Sequence, residues 1–198
     1  MPLSPFASVD RSTLSWIRTA EEPMSFVLAS GESRLAEIRW AHRGQPLGAV
    51  ETADATWSVK RERFPAPHLL LHAADGPVEV ARVAPHLNHH RIEIHGGKAY
   101  RFHRAGMMVP AWKITTDDGA EIAHIEPVRE GRKLEAGAVL VTPIGVDLPE
   151  LPILLTASWY FIGLAWFEDE SLVPFEGSDA PAGPGGPTTT TGGGSPGP

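Results

Sequence analysis

The sequence predicts a mostly β fold followed by one long apolar helix, and three observations carry that expectation. Between residues 24 and 142, short segments alternate apolar and polar residues and are separated by turn dipeptides. Residues 148–167, LPELPILLTASWYFIGLAWF, form an apolar run whose one charge is Glu150. Residues 178–198 hold 12 Gly or Pro among 21, a composition that cannot bury enough apolar surface to fold.

Taken in order, residues 1–22 have no basic stretch followed by an apolar one, so no secretory signal is expected and a cytoplasmic start is the default. These residues are mixed and lack clear periodicity, and a short helix over Arg11–Thr19 capped by Asp10 or Ser12 is the expectation there. Period-two alternation then predicts strands at Ser25–Ala29, Arg34–Trp40, Gly48–Thr52, Ala55–Arg61, His68–Ala73, Val78–Val83, Arg91–His95, Ala99–Arg104, Ala111–Thr116, Glu121–Val128 and Glu135–Thr142. Asp75-Gly76, Gly96-Gly97 and Asp118-Gly119 read as two-residue hairpin turns, because glycine reaches positive φ without steric cost. Pairing across Asp118-Gly119 sets Trp112 against Ile125 and Ile114 against Ala123, with Lys113 and His124 on the opposite face. Pairing across Asp75-Gly76 sets Leu71 against Val80 and Ala73 against Val78. About eleven one-sided strands in this span fit a closed barrel or a sandwich.

The run 148–167 is long enough, at about 1.5 Å per residue, to cross a bilayer core. Asp147 and Glu150 have capping-box spacing, but Pro152 needs to lie in the first turn, which moves the helix start to 150–151. Leu154, Leu155, Trp159, Phe161, Ile162, Leu164 and Trp166 occupy every face, so the helix is buried in protein or in lipid. All 17 Lys and Arg lie at or before Lys133, as a tail anchor with a cytoplasmic N-terminal domain would have them. Against that, no basic residue flanks the run, Glu168-Asp169-Glu170 closes it, and Thr156, Ser158 and Gly163 weaken insertion.

A chain of 198 residues can bury one large core. A net charge of -7 lacks the basic footprint of a nucleic-acid binder. The absence of cysteine excludes disulfides, thiolate metal ligands and cysteine nucleophiles. No P-loop, dinucleotide fingerprint or nucleophile elbow occurs.

The order of elements has a family likeness. Gln45-Pro46-Leu47-Gly48-Ala49-Val50 precedes Ala55-Thr56-Trp57-Ser58-Val59; Trp112 to Ile125 reads strand, Asp-Gly turn, strand; and Asp147 to Trp166 supplies a candidate central helix. Over roughly residues 24–170 the chain resembles the tubby-like superfamily, which includes tubby C-terminal domains, phospholipid scramblases and LURP-one-related proteins. The likeness rests on order and patterning rather than on an invariant motif. It implies a closed antiparallel barrel of about 11–12 strands around a buried hydrophobic C-terminal helix. The domain would span 23–172 with its helix at about 150–167, between a separate segment 1–22 and a disordered tail 173–198. It also implies a non-catalytic, cofactor-free binding or scaffolding role, cytoplasmic and at or near a phospholipid surface. The acidic Ca²⁺ loop of scramblase type is missing, and the basic residues are scattered.

Two constellations remain. Lys60, Arg61, Arg63, Arg101 and Arg104 would line an anion or lipid-headgroup site if their strands adjoin; otherwise they are an ordinary charged face. A two-residue Gly96-Gly97 turn would place His90 opposite His103 on the face of Ile92 and Ile94, leaving His89, Arg91, Glu93 and His95 on the other. His90 and His103 with the loop residue His86 could hold Zn²⁺ in a metal-dependent enzyme, although a solvated strand and loop that happen to use histidine is the simpler reading.

Overall fold

The computed structural model of the protein describes residues 2–21, 23–40, 47–62, 68–86, 89–105, 111–131 and 133–172. Among them twelve strands form one closed antiparallel barrel: β1 (Thr13–Glu21), β2 (Met24–Ser30), β3 (Ser33–Trp40), β4 (Leu47–Thr52), β5 (Thr56–Glu62), β6 (His68–Ala73), β7 (Glu79–His86), β8 (His89–Ile94), β9 (Ala99–Ala105), β10 (Ala111–Thr116), β11 (Glu121–Glu130) and β12 (Lys133–Val141). Each strand pairs with its sequence neighbours, and β1 pairs with β12 to close the ring. Closure removes both sheet edges, so every strand has hydrogen-bonded neighbours on both sides. A short helix α1 (Pro143–Val146) and a long helix α2 (Leu151–Leu172) follow. The candidate tail 173–198 lies outside the described residues.

The helix expected at Arg11–Thr19 is instead β1, so the barrel begins at Thr13 rather than at 23. Leu14 and Trp16 are buried while Ile17 is 48% exposed. Ile17 therefore points outward, away from the face that buries Leu14 and Trp16. Arg18 follows the inward phase, and its guanidinium reaches Glu135 at 3.1 Å and the Leu134 carbonyl at 3.3 Å.

Three hairpins show how turn length and bulges set register. At Asp118-Gly119 the loop has three residues, with Gly119 at φ 94° and the Thr116 N–H donating to the Ala120 carbonyl at 2.9 Å. A bulge between Ile114 and Thr115 then restores the expected pairs, Trp112–Ile125, Lys113–His124 and Ile114–Ala123. At Gly96-Gly97 the loop also has three residues, with the Ile94 N–H donating to the Lys98 carbonyl at 2.8 Å, and no bulge compensates. His90 thus pairs with Phe102, not His103: β8 keeps its expected facing, with His90 on the side of Ile92 and Ile94, while His103 falls on the opposite face. Across Asp75-Gly76 the Ala73 N–H meets the Val78 carbonyl at 2.9 Å as expected. A bulge at Leu71/His72 then sets Leu71 against Ala81 rather than Val80, and Gly76 is not among the glycines with positive φ.

Thr142 caps α1 by accepting from the Gly145 N–H at 3.2 Å. Asp147 ends α1 instead of starting a capping box for α2, and Pro152 lies in the first turn of α2. The side chains of Leu151, Leu154, Leu155, Trp159 and Ile162 on α2 are completely buried. Successive residues of a helix point about 100° apart, and three of them meet three sectors of the wall. Trp159 stacks on Trp16 of β1 at 5.4 Å and meets Phe26 of β2 edge-on. Tyr160 stacks on Trp40 of β3 at 5.0 Å. Phe161 meets His90 of β8 at 4.2 Å and Phe102 of β9 at 5.8 Å. Glycines make these approaches possible: the Trp159 ring would clash with a Cβ on Gly137, and Tyr160 ring atoms lie 2.5 Å from the Cβ position on Gly48. Glu150, just before α2, accepts from the Lys98 ammonium at 2.5 Å. No helix among the described residues is long and apolar enough to cross a membrane.

Candidate functional site

The structure separates the three candidate metal ligands. His90 faces the apolar side of the sheet, against Phe102 and Phe161. His103 sits opposite Lys113 on the other face, and His86 sits opposite His89 with ring centroids 4.8 Å apart. Among the described residues no group of three or more His, Asp or Glu could hold a metal ion. Burial, and after it the neighbouring His89, holds the His90 imidazole below its usual pKa.

The candidate anion set is likewise divided. β5 and β9 are separated by β6, β7 and β8. On β5, Lys60 points outward to Glu62 at 2.8 Å, while Arg61 takes the inward phase and is near enough to Tyr160 to act on its phenol. Burial outweighs that arginine and pushes the Tyr160 hydroxyl far above its ordinary value. Arg63 lies outside the described residues. On β9, Arg101 is on the outer face, whereas Arg104 takes the phase of Trp112 at the strand end. Of the expected set, Arg101 alone joins a larger charged surface.

That surface is the outer wall of β7 to β11. Arg91 sits directly opposite Arg101, and His103 directly opposite Lys113. Like charges opposite one another repel across a ladder, and Asp117 partly relieves them, 3.4 Å from Arg91 and 3.7 Å from Arg101. Lys113 also pairs with Glu121 at 2.5 Å, and His124, its other cross-strand neighbour, lies 3.1 Å from Glu126. Burial, then Lys113 and Arg101, holds the His103 imidazole below its usual value despite Glu121. His89 is lowered by burial and then by His86, Arg101, His103 and Arg91.

Next to this charged wall, β12 turns Ala136, Ala138 and Leu140 outward, between His124, Glu126 and Val128 of β11 and Thr13, Ser15 and Ile17 of β1. Val128 pairs with Ala136, and Ala136 with Ile17, while Leu140 stands opposite His124. Val128 is 51% exposed, Leu140 52% and Ile17 48%. Leu140 lies four residues along β12 from Ala136, which joins Val128 to Ile17.

The chain matches no protein-family model, no curated protein and no solved structure. Sequence reasoning missed Arg91, Lys113, His124 and the exposed Ile17, Val128 and Leu140, and it missed Tyr160 among the ring contacts of α2. A strand assignment at residues 13–21 would have exposed Ile17 as an outward apolar residue. The remainder depended on register that no residue pattern displays.

Proposed function

We propose that this chain is a non-catalytic binding module that docks on anionic phospholipid surfaces, with α2 as the core around which the barrel is built. Burial of Trp159 and Tyr160 against three sectors of strands supports the second part. With the interior occupied by the chain's own helix, the outer wall is the working surface. The observation that carries the docking reading is one outer wall on which Leu140 stands at the level of His124, Lys113 and His103, with Arg91 and Arg101 on one side of that level and Ile17 and Val128, reached through Ala138 and Ala136 of β12, on the other. Apolar side chains enter the interface while cations meet lipid phosphates, and each basic residue near an anionic surface contributes about 1 kcal/mol. The order of twelve strands and an apolar helix resembles that of the tubby-like superfamily, in which tubby domains bind phosphoinositide headgroups. That likeness favours a lipid partner, although fold alone does not fix function.

The test is co-sedimentation in mildly acidic buffer, at about pH 5.5, with phosphatidylcholine vesicles with and without phosphatidylserine. The protein should bind only the anionic vesicles, more weakly as salt rises. Arg91→Ala with Arg101→Ala, or Ile17→Ser with Leu140→Ser, should weaken binding without unfolding the barrel. Absence of binding to either vesicle, or equal binding to both, would refute the reading.

A further inference from the structure

Five side chains on the charged wall stand at one level. His86 faces His89, His103 faces Lys113, and Lys113 faces His124. His89 completes the row, because it lies two residues along β8 from Arg91 just as His103 lies two residues along β9 from its partner Arg101. With strands about 4.8 Å apart, the row runs for about 19 Å around the barrel. It ends at the exposed Leu140, the next cross-strand neighbour of His124.

The permanent charges around this row nearly cancel. β7 supplies Arg82 paired with Glu79, β8 supplies Arg91 and Glu93, and β9 supplies Arg101. Lys113 on β10 is matched by Glu121, Asp117 sits between the two arginines, and Glu126 adjoins His124. The sign of the wall therefore rests on its four histidines, the side chains whose charge changes near neutral pH. Neutral imidazoles leave the wall without net positive charge; protonated ones make it a continuous cationic band that ends at the exposed Leu140.

We infer that His86, His89, His103 and His124 form a protonation gate, so that the wall docks on an anionic phospholipid surface in acid and releases it near neutrality. The inference rests on the docking function proposed above and adds its regulation. Burial, and after it the neighbouring cationic and histidine side chains, disfavours protonation of His89 and His103 in the free protein. An approaching layer of lipid phosphates reverses that balance, so binding takes up protons and strengthens as pH falls. The exposed Leu140 at the end of the row, with Ile17 further along the same wall, favours a bilayer over a soluble phosphate, which offers neither side chain anything to enter.

The experiment measures vesicle affinity at about pH 7.5 and about pH 5.5, using phosphatidylcholine–phosphatidylserine vesicles and phosphatidylcholine alone. The native chain should tighten on anionic vesicles by roughly tenfold or more on acidification. The triple variant His89→Gln, His103→Gln, His124→Gln should show a flattened response, while circular dichroism confirms its fold. Anionic-vesicle binding that is independent of pH, or a full pH response in the triple variant, overturns the gate and leaves the docking function standing. No binding at either pH overturns both. Acid-dependent binding of inorganic phosphate that Ile17→Ser with Leu140→Ser leaves intact, with no vesicle binding, replaces the bilayer with a soluble anion and overturns the proposed occupant.

Discussion

Gly137 is where the relation between α2 and the wall is most exposed to a single substitution. A methyl group built on its Cα would clash with Cη2 and Cζ3 of Trp159 and stand 3.4 Å from the Glu126 carbonyl. Neither partner can retreat. β12 is hydrogen-bonded to β1 on one side and β11 on the other. The Trp159 ring is held by Trp16, parallel to within 7°, and by Phe26. On an unobstructed strand, replacing glycine by alanine favours the fold by about 0.5–1 kcal/mol. Overpacking a filled core costs about 1–3 kcal/mol. Gly137→Ala should therefore lose about 1–2 kcal/mol net, read as a lower urea midpoint by far-UV circular dichroism with an unchanged slope. Trp159→Phe removes the ring atoms that collide, so the two substitutions together should cost less than their sum, by about 1 kcal/mol. A stabilised Gly137→Ala variant would refute the reasoning, because the ring would then not be where the wall needs a glycine.

Two further outcomes follow from buried polar groups. The Ser158 hydroxyl on α2 is buried without a hydrogen-bond partner, whereas the nearby Thr156 hydroxyl donates to the Pro152 carbonyl at 2.7 Å. Ser158→Ala removes an unmatched group at little change of volume and should stabilise the protein by about 1 kcal/mol in urea denaturation; a loss of stability would mean that the hydroxyl is satisfied. His90, buried beside Phe161 and Phe102, is harder to protonate in the fold than in the unfolded chain. Its contribution to stability is present above about pH 6.5 and is lost as pH falls from there through the lowered folded value. His90→Phe should flatten the fall of the denaturation midpoint between about pH 7 and about pH 5, with His89 and His103 supplying what slope remains. An unchanged slope would show that His90 is not the buried titrating group.

Strand patterning made most of this barrel legible, because inward and outward residues differ in polarity along β5, β9 and β10. β1 escaped because its outward Ile17 and inward Arg18 invert that rule. Register was less legible, and the hairpins show why. The three-residue loops at Asp117–Gly119 and His95–Gly97 each shift pairing by one residue relative to a two-residue turn. A bulge at Ile114/Thr115 cancels the shift in one hairpin, while nothing cancels it in the other. The same kind of glycine turn thus led to the correct Trp112–Ile125 pair and to a false His90–His103 pair. Bulges follow from the geometry of barrel closure rather than from local residue preference, so the metal constellation dissolved and the histidine row emerged only in three dimensions. The scattered basic residues fared likewise: Lys60 and Arg101 share an outward phase but are divided by three intervening strands.

Amide hydrogen exchange across α2 tests the central claim most directly. If the barrel is built around this helix, the amides of residues 154–162 can open only with the wall, and they will exchange at the rate of global unfolding together with β1, β2 and β12. Exchange of those amides well ahead of the strands, at rates set by local fraying, would show a helix that lies outside the barrel and would contradict the account.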